Sequence, residues 1–330
     1  MNPNEKLKLG KKLINFKIPE KDNIYFPKNN TVGIEIEFKN AKFHQVSDEL
    51  FEKKSPFTVC TESTVHEEDP LKGSFSRGGE INSPIITNNL DYYKSLKEAC
   101  NIIKFCNGDI DKDTACHIHI GSQAFKSEES INNLLFIWAN FEEIINRFLN
   151  GDNIINDHNS KFSKKCKEEF KKANYTFENL KRNKKTSKLH SISFYYFKSL
   201  SYEKENTIEF RNIRSTFDEN IILNNVEFLF RLIDFLNSSS NTELRKLESY
   251  INKFSHNPEI NFEKACFLSN LIYSNKLERY CFLKQYFKDF YLEGDKKRIK
   301  LTIWKQFFLN FLFNLLILKK INVIVIYVSI

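Results

Sequence analysis

Val32-Gly33-Ile34-Glu35-Ile36-Glu37-Phe38 reads as one β-strand with two characters. Side chains alternate faces along a strand, so Ile34, Ile36 and Phe38 point into a core while Glu35 and Glu37 point away from it. Two later segments repeat the arrangement. In Cys116-His117-Ile118-His119-Ile120 the inward residues are Cys116, Ile118 and Ile120, which leaves His117 and His119 opposite. In Thr207-Ile208-Glu209-Phe210-Arg211 the inward pair is Ile208 and Phe210, with Glu209 and Arg211 outside. If the three strands share a sheet, its second face carries three carboxylates, two imidazoles and a guanidinium. That inventory suits a divalent metal and an oxyanion. A polar sheet face is ordinarily only hydrated. Thr, Lys, Ser and Gln would then fill such positions as often as Glu and His, and here they are nearly absent.

The chain of 330 residues is long enough for one large domain or two smaller ones. Hydrophobic residues make up 41%, which is a globular and not a disordered composition. The net charge of +8 comes from lysine-rich stretches, densest between Lys161 and Lys188, and reads as solvated surface with some attraction for anionic ligands. The lysines are not interleaved with a repeated aromatic pattern, so no nucleic-acid partner is expected. The seven cysteines form no CxxC pair. They read as small buried hydrophobes in a reducing compartment. No apolar leader stands in Met1 to Asn23, and a cytoplasmic location is the expectation.

Three parts are expected along the chain: a basic lead-in over 1–25, a main domain over 26–295 that turns helical from about 219, and a hydrophobic tail over 296–330. The spacing of Leu96, Cys100 and Ile103 predicts a helix over 91–107. A second begins at Ser127, a fitting N-cap with Glu128 and Glu129 in the first turn, and stops at Gly151. The stretch 161–188 is expected to be part helix, part loop, and Ser238 to Asn241 breaks the helical region. In the tail, Phe307 to Leu318 is shorter than the ~20 residues that span a bilayer, so a transmembrane helix is not expected. Membrane association of the tail stays open.

A fourth segment, Gly78-Gly79-Glu80-Ile81-Asn82-Ser83-Pro84, joins the three strands. Its glycines permit close backbone approach ahead of a carboxylate, and Pro84 ends regular pairing. Taken in order, GIEIEF, GGEINSP, CHIHIG and TIEFR resemble the amidoligase family, a branch of the carboxylate–amine ligases related to glutamine synthetase and glutamate–cysteine ligase. The resemblance runs from about Thr31 to Phe217. It departs where the family has Asp-x-Ser, here Glu62-Ser63-Thr64, and where Ala115 and Cys116 precede the first histidine.

The resemblance implies an α+β fold: a curved antiparallel sheet with the site on its concave face, helices on the outer face and a mainly helical C-terminal part. It implies amide or peptide-bond formation driven by ATP, through an acyl phosphate that an amine attacks. Glu35, Glu37, Glu80, His117 and Glu209 would bind Mg²⁺ or Mn²⁺. His119 would contact an ATP phosphate. Arg211 would meet the transferring phosphoryl or the substrate carboxylate, with Arg214 as a second cation and Glu80 beside the reacting groups. The partners are small-molecule or peptide carboxylates and amines, and 161–188 is where selectivity is expected. Two other readings stay open. An HxH-type zinc hydrolase would need further ligands, and the later histidines, His158, His190 and His256, lie in no metal-like motif. A binding protein with a degenerate ligase core would show no nucleotide response.

Overall fold

The strands that the alternation predicts lie side by side in one open sheet. The computed structural model describes residues 8–9, 12–13, 15–19, 24–62, 65, 67–69, 74–88, 90–111, 113–150, 165–182, 190–198, 200, 206–251 and 262–286. The tail over 296–330, Gly151 and most of the basic lead-in lie outside the described residues. The strands are β1 (Val32–Lys42), β2 (Thr58–Cys60), β3 (Glu67–Asp69), β4 (Ser74–Asn82), β5 (Ala115–Gly121), β6 (Ile192–Ser193) and β7 (Thr207–Arg214). Their order is β2-β4-β1-β5-β7-β6, β3 pairs with β4, and every pairing is antiparallel.

The helices are α1 (Phe43–Glu52), α2 (Leu90–Phe105), α3 (Glu128–Asn150), α4 (Lys167–Lys172), α5 (Phe177–Arg182), α6 (Glu219–Ser238), α7 (Asn241–Ile251), α8 (Phe262–Ile272) and α9 (Lys276–Tyr286). The fold is therefore α+β, with strands gathered in one sheet and the later chain helical, as expected. The region 161–188 holds two short helices, α4 and α5, and the break at Ser238 to Asn241 separates α6 from α7. Among the described residues no helix is long and apolar enough to cross a membrane.

The inward residues of β1, β5 and β7 are all buried, Ile36, Phe38, Ile118, Ile120, Ile208 and Phe210 completely so. Beneath them lies α3, whose Trp138 ring is 5.4 Å from that of Phe210. Eighteen of the 23 residues of α3 are buried, so it is covered on both sides. One side meets the sheet; α6, α7, α8 and α9 pack on the other. Phe148 of α3 stacks on Phe282 of α9 at 4.5 Å and meets Phe228 of α6 at 4.9 Å. Each such ring pair adds about 0.5–1.5 kcal/mol beyond its buried area.

Helix ends follow local chemistry. The Ser127 hydroxyl accepts from Ser130 N–H at 3.2 Å, as its position predicts. Asp218 does the same for α6, accepting from Asn220 N–H at 3.1 Å. Asp218→Ala is expected to cost about 1 kcal/mol, read as a lower urea midpoint at unchanged slope.

Two irregularities shape the sheet. A Cβ on Gly79 would sit 2.9 Å from the Cys60 carbonyl oxygen, so only glycine lets β2 lie this close to β4. On β7, Cys116 pairs with Ile213 and Ile118 with Phe210, so Arg211 and Asn212 together oppose His117. This bulge returns Ile213 to the core after Arg211 has turned to the other face. The cysteines depart in part from expectation: none forms a disulfide, but Cys60, at the end of an outer strand, is exposed and the other six are buried.

Candidate active site on the open sheet face

The register converts four separate sequence segments into one cluster. Glu35 stands opposite His117 on β5 and opposite Asn82 on β4. Glu37 stands opposite Glu80, and His119 opposite Glu209. His117 Nδ1 lies 2.9 Å from Glu35 Oε2 and 3.8 Å from Glu209 Oε1. Its Nε2 points the other way, 4.0 Å from Glu37 Oε1. His119 Nε2 is 3.1 Å from Glu35 Oε1, and its Nδ1 is 3.2 Å from Thr207 Oγ1. The Arg211 guanidinium donates to Glu209 Oε1.

Among the described residues two sets of ligand atoms converge closely enough to hold an ion: Glu35, His117 and Glu209, and Glu37, Glu80 and His117, each set within 4.8 Å. The sets share His117, one ring nitrogen toward each. Glu37 is held rigid for this. Its Oε2 accepts from Ala115 N–H at 2.8 Å, and its backbone carbonyl accepts from the Ser215 hydroxyl at 2.7 Å.

The carboxylates crowd one another. Burial pushes the Glu80 carboxyl up, and the charges of Glu35, Glu37 and Glu62 push it further, to about 9. Burial also raises Glu37, against the pull of His117. Burial acts on Glu35 in the same direction, but hydrogen bonds from His117 and His119 outweigh it and hold this carboxyl below its usual range. Burial would lower the His119 pKa, and the Glu35 carboxylate beside it raises it instead. A face with four carboxyl groups and one guanidinium is short of positive charge when all four ionise, which a divalent cation would supply.

Beside the first set lies a cavity of about 280 Å³, lined by Gly33, Glu35, Asn82, His119, Tyr196 and Thr207 among others. The Tyr196 ring is 5.9 Å from that of His119.

Seven of the eight residues marked in the sequence thus meet at one place: Glu35, Glu37, Glu80, His117, His119, Glu209 and Arg211. Arg214 stands at the end of β7 opposite Ala115, beyond the hydrogen-bonded cluster. His190 binds Glu169 at 2.7 Å and adds no ligand to the HxH pair; His158 and His256 lie outside the described residues. Sequence reasoning passed over Asn82, Thr207 and Ser215; Tyr196 falls in Lys188 to Phe197, where the resemblance loosely implies an aromatic, substrate-side strand, but was not singled out. For Asn82 the signal was present, since it lies two residues past Glu80 and alternation puts it on the same face. Nothing local marks Ser215 as a support for Glu37, 178 residues away.

A family model described as putative amidoligase enzyme matches residues 28–233. The match begins just before β1, ends within α6 and encloses both ligand sets. No match is found among curated proteins. With more than half of its length matched and the family's four segments in order, the chain belongs to the putative amidoligase family.

Proposed function

We propose that this ligase-family protein is an ATP-dependent carboxylate–amine ligase that works through an acyl phosphate. One observation carries the reading: the strand register sets Glu35 against His117, Glu37 against Glu80 and His119 against Glu209 on a single face of the sheet. Each ligand set is two carboxylates and one imidazole. Such oxygen-rich donors fit Mg²⁺ or Mn²⁺ better than a zinc hydrolase site, where histidines or thiolates dominate. A bound cation would neutralise phosphate oxygens and the carboxylates that hold it.

The chain's own groups then divide the work. Glu35, Glu209 and His117 would hold a cation on one side of the imidazole, and Glu37 and Glu80 would be ligands on its other side; neutral imidazole offers one lone pair, so His117 would ligate in one set at a time. His119, at the wall of the cavity, contacts a nucleotide phosphate. Arg211, and Arg214 beyond it, face the oxyanions of the transferring phosphoryl or the substrate carboxylate. A substrate carboxylate oxygen takes the γ-phosphoryl and ADP departs. The amine nitrogen then bonds to the acyl carbon, phosphate leaves with the C–O electron pair, and the amine gives up a proton.

The test is thermal unfolding with Mg²⁺ alone, ATP plus Mg²⁺, ATP plus EDTA, and Zn²⁺ alone. The expected result is a rise with ATP plus Mg²⁺ that exceeds the rise with Mg²⁺ alone and disappears in EDTA. A response to Zn²⁺ alone would favour the hydrolase, and no response to either would favour a degenerate core. Arg211→Ala is expected to weaken ATP about ten-fold, or about 1.4 kcal/mol, while the response to Mg²⁺ alone persists. Equal ATP affinity in that variant would remove Arg211 from the site.

A further inference from the structure

Glu142 is a carboxylate in the middle of the most buried helix, 2% exposed and remote in sequence from every motif. An acid there is costly unless its oxygens are occupied. They are. Oε1 accepts from Cys166 N–H at 2.5 Å and Oε2 from Lys167 N–H at 3.1 Å, which fixes the start of α4 to α3. Oε1 also takes the Ser191 hydroxyl at 3.4 Å, and Ser191 Oγ lies 3.0 Å from Cys166 Sγ. The backbone carbonyl of Ser191 accepts from Arg211 N–H at 2.9 Å.

That last bond matters because of where it falls. Ile192 pairs with Phe210 and Ser193 with Glu209, so Ser191 against Arg211 continues the β6–β7 ladder by one step. On its other side β7 bulges at Arg211 and Asn212, and regular pairing with β5 is interrupted there. The backbone of Arg211 is therefore held on the β6 side, by a residue that Glu142 holds in turn.

We infer that Glu142 is a positioning residue for Arg211: through Ser191 it sets the bulged stretch of β7 that aims the guanidinium at the site. The inference rests on the ligase reading, in which Arg211 meets the oxyanions of the substrates. It separates in large part the two jobs of the sheet face: of the cation ligands only Glu209 shares β7 with Arg211, while Glu35, Glu37, Glu80 and His117 stand on β1, β4 and β5.

Glu142→Gln keeps the side chain's shape but turns an N–H₂ toward one of the two N–H donors it must accept. Two affinities are measured on the full chain: Mn²⁺ by electron paramagnetic resonance, and ATP at saturating Mn²⁺. The expected result is a Mn²⁺ affinity within about two-fold of native and an ATP affinity about ten-fold weaker, the size of one lost charge-assisted contact. Ser191→Ala, which leaves both N–H bonds to Glu142 in place, is expected to weaken ATP about three-fold at unchanged Mn²⁺ affinity. Its milder change keeps the test open if the first variant folds poorly. Loss of both affinities together in Ser191→Ala, or ATP binding that stays native in both variants, overturns the inference. Native protein that binds Mn²⁺ but shows no ATP response is a different pattern, and it overturns the ligase reading and this inference with it.

Discussion

Mg²⁺ or Mn²⁺ at a hundred times its dissociation constant is expected to add about 2.7 kcal/mol to the free energy of unfolding, and Glu35→Ala to remove most of that gain. Glu35 is the carboxylate that touches both imidazoles, at 2.9 Å from His117 and 3.1 Å from His119. It is also the member of the first ligand set that can reach the cavity. Alanine would leave that set with His117 and Glu209 alone, and Glu209 is already engaged by Arg211. Urea titrations with and without metal, on native and variant protein, give the difference directly. A variant that keeps its full metal response would move the cation away from Glu35, to the set formed by Glu37, Glu80 and His117.

In EDTA the native protein is expected to lose stability as pH rises from about 4.5 toward 9. The sign comes from Glu80. Its carboxyl titrates at about 9 in the folded chain against 4.5 for an unperturbed group, chiefly because it is buried and secondarily because of Glu35, Glu37 and Glu62. Within that window the folded protein keeps a proton that the unfolded chain has released, so each pH unit favours unfolding by about 1.4 kcal/mol. By pH 7 the accumulated cost is on the order of 3 kcal/mol. Glu37 and His119, both raised, tilt the curve the same way. Glu35 is held below its usual range, so its contribution is lost only as pH falls through the acid range, outside this window. Glu80→Gln cannot ionise, and is expected to flatten the slope and to be more stable than native protein at pH 7 without metal. Saturating Mg²⁺ should flatten the native slope as well. Unfolding curves between pH 5 and 8 decide the matter; parallel slopes for native and Glu80→Gln would show that the crowding is relieved some other way.

Much of the site was legible because period-two alternation is a strong signal. Once Ile34, Ile36 and Phe38 are assigned inward, Glu35 and Glu37 have nowhere to go but the other face, and the same holds for His117, His119, Glu80 and Glu209. Register was less accessible. Which carboxylate meets which imidazole depends on how far β5 slides along β1, a property of distant turns. The bulge at Arg211 and Asn212 leaves a local trace, since Ile213 falls out of phase with Ile208 and Phe210, but that break in alternation was not read. The interior of α3 misleads in a different way. Glu142, Asn133 and Asn146 are polar positions of a helix, yet all three are buried, because other parts of the chain bring bonding partners to them. A helical wheel shows where polar groups are, not whether water or protein satisfies them.

The covering of α3 on both sides has a practical consequence for anyone preparing the protein. The family match ends at residue 233, inside α6, and a shortened gene would naturally be cut there. Such a product would keep every ligand of both sets and still lack α7, α8 and α9. The outward side of α3, with the Phe141 and Phe148 rings that α8 and α9 cover, would then meet water. A contiguous aromatic surface of that kind drives self-association. The trimmed product should collect in the insoluble fraction, and the smallest well-behaved piece should extend at least to Tyr286.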